Sequence, residues 1–151
     1  MPTDISKMTL PELLKLVSDL PASKRVEHLR ELANLKPDLK TVLTYAYHDG
    51  YVFDLPPGVP PYKTVDMPDN WGYNRLPKEL RKFKYFLKGN NLNAIKREKI
   101  FIDMLESLGE EEAKLVLMIK DKKLTYKGFT KKMVVEALPE LFAGEKEVEN
   151  V

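Results

Sequence analysis

Between Lys120 and Lys132 the chain carries six lysines, with Asp121 the one acid among them. The run includes Gly128 and leads into residues spaced as a short amphipathic helix. That combination suits anions. Ammonium groups supply charge, N–H groups at a helix start point outward, and glycine lets a ligand approach the backbone. A second such place lies in Arg75–Lys99, where nine basic residues face Glu79 and Glu98, centred on Lys88-Gly89-Asn90-Asn91. The candidate phosphate contacts are therefore Lys88, Gly89, Asn90 and Asn91 in one bend, and Lys123, Lys127, Gly128, Thr130, Lys131 and Lys132 in the other. Lysines would neutralise phosphates, while Thr130 and the asparagines would bond to phosphate or sugar oxygens. Glycines also end helices routinely, so Gly89 and Gly128 admit a purely structural reading.

Catalytic patterns are missing by comparison. His28 and His48 are separated by a helix and lack a metal-ligand spacing. No glycine-rich nucleotide loop of either common type occurs. Carboxylates such as Asp103, Glu106 and Glu110 to Glu112 sit beside lysines at helical spacing, as solvated faces do. There is no cysteine, which rules out disulfides and thiolate metal sites and suits a reducing cytoplasm. The reading is a non-enzyme with no catalytic residue, metal or cofactor.

Charge is unevenly spread over the 151 residues, although the net value is only +2. Residues 1–74 carry 8 Lys/Arg against 10 Asp/Glu, residues 75–132 carry 16 against 8, and residues 133–151 carry 1 against 5. A basic middle with an acidic end points to a polyanionic partner; solvated helix faces are the plainer explanation. The N-terminus has no signal-peptide pattern, and no stretch approaches the roughly 20 apolar residues of a membrane span.

The elements that must position these bends read as helical. Thr9 and Glu12 form a capping box before a helix with Leu10, Leu13, Leu14 and Val17 inward. A second helix runs from about Ser23 to Leu35 (Val26, Leu29 and Ala33 inward), and a third opens at Pro37 with Leu39, Val42, Leu43 and Ala46. From Tyr51 to Pro77 lie six of the eleven prolines, excluding a continuous helix. Tyr51 to Phe53 reads as briefly extended, and Tyr62, Trp71 and Tyr73 as holding an ordered loop against the helices. Helical spacing resumes with Leu76, Leu80, Phe83 and Leu87, with Lys78, Arg81, Lys82, Lys84 and Lys88 opposite. Further helices follow over about Leu92–Leu108, Glu110–Lys120 and Phe129–Leu141, the middle one apolar nearly all round. The expectation is an all-α single domain of about seven helices over 1–142, then an acidic flexible tail over 143–151.

These elements resemble the N-terminal DNA-binding domain of ATP-dependent DNA ligases of the phage and eukaryotic type. The likeness rests on Lys120-Asp121, Lys127-Gly128, Thr130 and the helix end Val134–Leu141. It rests also on Gly89-Asn90-Asn91 with Asn93-Ala94, and on the order of the first helices. The chain is similar as well to small proteins of cyanobacterial tailed phages. Lys127 stands where the ligases have cysteine, the turn is longer by Leu124-Thr125-Tyr126, and the proline-rich insert is distinctive. No Lys-x-Asp-Gly nucleotidylation motif occurs, so adenylation and nick sealing do not follow. The resemblance implies a helical module that grips duplex DNA through the minor groove, mostly by backbone contacts.

The expected function is non-catalytic, largely sequence-independent binding of double-stranded DNA, in the cytoplasm of a host cell if the protein is phage-encoded. The rival expectation is a module that docks on a host or phage replication protein through Pro56–Tyr73 or the acidic tail.

Overall fold

Thr9 starts the first helix as the sequence predicts. Its hydroxyl accepts from the Glu12 N–H, and the Glu12 carboxylate accepts from the Thr9 N–H at 2.8 Å. The computed structural model describes residues 7–64 and 74–143. The described residues form α1 (Leu10–Ser18), α2 (Ala22–Leu35), α3 (Pro37–Tyr47), α4 (Leu76–Glu79), α5 (Ala94–Ser107), α6 (Glu110–Lys120) and α7 (Lys131–Ala137). Two 3-10 segments, Leu80–Phe86 and Pro139–Phe142, complete the set. Among the described residues the β-type pairing is one isolated antiparallel bridge, Phe53 to Leu87. The chain is all-α, built as one domain around one core.

α6 is the central element. It packs on α1, α3 and α5, while α2 packs on α1, α3 and α7. Leu115, Val116, Leu117 and Ile119 are buried on successive faces of α6, which is why it lacks a polar stripe. Its two ends bury charge: Glu112 and Lys120 are 1% and 5% exposed. The Glu112 carboxylate accepts from the Leu76 N–H at 3.1 Å and faces Arg75 Nε at 3.7 Å. Lys120 Nζ donates to the Pro56 carbonyl at 2.9 Å and to the Asp121 carboxylate. Each pair ties α6 to a segment distant in sequence.

Three expectations shift. The run from Leu76 is α-helical for four residues, then 3-10, with three residues per turn instead of 3.6. Leu80, Phe83 and Phe86 therefore face inward at spacing three, and Leu87 leaves the helix to bridge Phe53. The last helix is split: α7 ends at Ala137, and Pro139, lacking an N–H, begins a separate 3-10 turn. α5 starts at Ala94, because Asn93 caps it by accepting from the Lys96 N–H at 2.8 Å. Tyr62 packs on the core as expected. Trp71, Tyr73 and, apart from Ala143, the acidic tail lie outside the described residues.

Candidate nucleic-acid interface

The first bend is fastened to the segment Tyr51–Asp54. Lys88 N–H donates to the Val52 carbonyl at 2.8 Å, and Asp54 N–H to the Phe86 carbonyl at 2.7 Å. Gly89 has φ +92°, and a Cβ there would meet nothing within 4 Å, so its backbone faces open space. Asn90 is spent on the bend itself, accepting from the Leu92 N–H at 2.8 Å and donating to the Lys84 carbonyl at 3.1 Å. Asn91 is exposed. Behind the bend, Arg97 is 6% exposed. Its guanidinium donates to the Leu92 carbonyl at 2.6 Å and lies 3.4 Å from the Asp54 carboxylate. It is an internal clamp.

The nine basic residues of Arg75–Lys99 thus divide in two. Arg75, Lys82, Arg97 and Lys99 are ion-paired with Glu112, Glu79, Asp54 and Asp103. Lys78, Arg81, Lys84, Lys88 and Lys96 are exposed and have no salt bridge among the described residues. Because the 3-10 turn repeats every three residues, Arg81 and Lys84 stand in one row, about 6 Å apart along the axis. Lys88 follows in the chain, and beyond the turn at Gly89 the helix α5 packs against the 3-10 segment.

The second bend is more occupied than its lysine count suggests. Lys120 is held by Pro56 and Asp121. Lys122 has φ 57°, and its Nζ donates to the carbonyls of Tyr45, His48 and Tyr51. Lys131 pairs with the Asp49 carboxylate at 2.9 Å and lies 5.9 Å from the centre of the Phe142 ring. Thr130 caps α7, its hydroxyl accepting from the Met133 N–H at 3.1 Å. Gly128 has φ +85°, but the space a side chain would take is filled by Arg25, whose Cζ would lie 2.7 Å from a Cβ. Its backbone is thus approached by an internal cation. Lys123, Lys127 and Lys132 remain exposed, with no salt bridge among the described residues.

These three do not share one setting. Lys123 lies beside Val59, Lys114 and Asp121. Lys127, its carbonyl accepting from Ser18 Oγ at 2.7 Å, borders a cleft of about 620 Å³ with Glu12, Asp19 and Glu111 on its walls. Glu112 and Tyr126 also border this cleft. Burial raises the Glu112 carboxyl above its ordinary value, opposed by the Leu76 N–H and Arg75, and pushes the Tyr126 phenol up to about 12 with help from Glu111. A cleft so rich in carboxylates is a poor host for phosphate.

One segment links the bends: Asp49 holds Lys131 and Val52 holds Lys88. Three residues of extended chain reach at most about 11 Å, so the partners of these two lysines are close. Spacing along Leu80–Phe86 was the signal for the Arg81–Lys84 row. Nothing local announced Arg25 or Arg97. No helix among the described residues is long and apolar enough to cross a membrane, and none of them form a group of three or more metal-ligating side chains.

No curated protein and no solved structure matches the chain. A family model described as "Family of unknown function (DUF6433)" matches residues 13–126, taking in Lys88–Asn91 and Lys123 but not Lys127–Lys132. The match spans most of the chain, which therefore belongs to the DUF6433 family.

Proposed function

We propose that the protein binds double-stranded DNA non-catalytically and largely independently of sequence, gripping the phosphate backbone. The observation that carries this reading is the set Lys78, Arg81, Lys84, Lys88 and Lys96, all exposed and without a salt bridge among the described residues, Lys84 resting over the Tyr85 ring at 5.3 Å. Gly89 adds a backbone open to close approach, Asn91 an exposed amide, and the capped start of α5 a set of N–H donors. Lys132 adds charge from the second bend, whereas Lys120 and Lys122 serve the fold. Likeness to the ligase DNA-binding domain favours a duplex over a single strand.

Titration of labelled intact, nicked and single-stranded DNA at several salt concentrations tests this. With about five phosphates neutralised, log K should fall against log salt with a slope near −4.5. Affinity indifferent to salt between about 50 and 200 mM would reject the proposal. Retention of a protein partner through Pro56–Tyr73, with no DNA bound, would favour docking instead.

A further inference from the structure

α5 buries Arg97, Phe101, Met104 and Leu105 on its inner side. Its outer side carries Ile95, Glu98, Lys99 and Ile102, spaced i, i+3, i+4, i+7 as one continuous stripe. A solvated stripe has no use for two isoleucines, yet Ile95 is 83% exposed, above Val59 at 71% and Leu35 at 66%. Ile102 is half-buried. The four residues, with Asp103, line one shallow groove of about 340 Å³.

The order along this stripe is apolar, acidic, basic, apolar. Read in reverse, it becomes apolar, basic, acidic, apolar, which is its own complement. That is the requirement for an isologous pair of antiparallel helices. We propose that α5 docks on α5 of a second copy of this chain, with a two-fold axis between Glu98 and Lys99. Ile95 of each copy then packs on Ile102 of the other, and Glu98 meets Lys99. Parallel docking would set Glu98 on Glu98 and Lys99 on Lys99, so charge selects the antiparallel arrangement. Lys99 already lies 3.2 Å from Asp103 on its own helix, but both side chains are exposed, at 73% and 61%. Such a pair contributes little in water and leaves the ammonium free to be shared.

Two helical turns form a small contact, below the roughly 1,200 Å² of stable complexes, so the dimer is weak and concentration-dependent. Arg81, Lys84 and Lys88 lie outside the paired stripe, whereas Lys96 and the start of α5 adjoin Ile95; self-association measured without DNA therefore tests the pairing independently of the DNA reading.

Sedimentation velocity on the full chain, over a concentration series from low micromolar to millimolar, tests the pairing. The weight-average mass is expected to rise from 17.4 kDa towards twice that value. Glu98→Lys and Lys99→Glu should each weaken self-association by about tenfold or more, because each sets like charges face to face. Mixing the two variants puts every altered charge opposite its complement. Association should return, as a heterodimer visible by native mass spectrometry when one variant is isotope-labelled. A wild-type chain that stays monomeric throughout overturns the proposal. So does either variant associating like wild type, or a mixture that fails to regain association.

Discussion

Lys122 Nζ donates to the carbonyl of Tyr51 at 2.8 Å, and the same ammonium also reaches the carbonyls of Tyr45 and His48. To do so the residue holds φ at 57°, a region lysine seldom adopts. These bonds secure the segment that presents Asp49 to Lys131 and Val52 to Lys88. Lys122→Met keeps the apolar stem and removes the donors. It should lower the unfolding free energy by about 2 kcal/mol, measured by urea unfolding. DNA affinity should weaken with the salt slope unchanged, since no phosphate contact is lost.

Gly89 and Gly128 share a positive φ but differ in what lies before them. Gly89→Ala meets open space and should cost about 1 kcal/mol, from backbone strain alone. Gly128→Ala also requires the Arg25 guanidinium, the far end of a flexible side chain, to move aside and should cost somewhat more, about 1.5 kcal/mol. Equal losses in thermal unfolding would contradict the packing of Arg25 described above.

Glu112 gives a pH signature. Burial raises its folded carboxyl pKa above the ordinary carboxylate value. The folded state then binds this proton more tightly than the unfolded state. The contribution to stability is fully present below the unfolded value and is lost as pH rises through the folded one. Glu112→Gln removes the titration. The melting temperature of wild type minus that of the variant should therefore fall as pH climbs through this range, followed by calorimetry. A difference that rises with pH would contradict the raised value.

For the basic row, Lys84→Ala and Lys88→Ala should each reduce the magnitude of the salt slope by about 0.9. Lys114→Ala should leave it unchanged, because that ammonium lies 3.4 Å from Glu110 and 3.6 Å from Glu111. Binding isotherms at three salt concentrations separate these outcomes.

Features decided within a few residues were legible in the sequence. The Thr9–Glu12 box is local, and so are the acidic start and basic end of α6. The apolar spacings of α1 and α3 likewise mark their buried faces. What the sequence hid depends on partners far along the chain. Lys131 meets Asp49 across 82 positions, Lys122 meets Tyr45 across 77, and Arg97 meets the Asp54 carbonyl across 43. A count of lysines in one stretch cannot show which are already taken. The switch from α to 3-10 after Glu79 has a similar origin: Leu87 is drawn into its bridge with Phe53, and Phe86 takes the inward place.

The triple repeat of Leu80–Phe86 makes that segment sensitive to changes in length. Each 3-10 residue advances about 2 Å and turns about 120°. Losing or gaining one residue would swing Arg81 and Lys84 out of line and push a charged group towards the seat of Phe83. Three residues added together would lengthen the rail by about 6 Å and keep its facing. Natural length variation here should accordingly come in triplets.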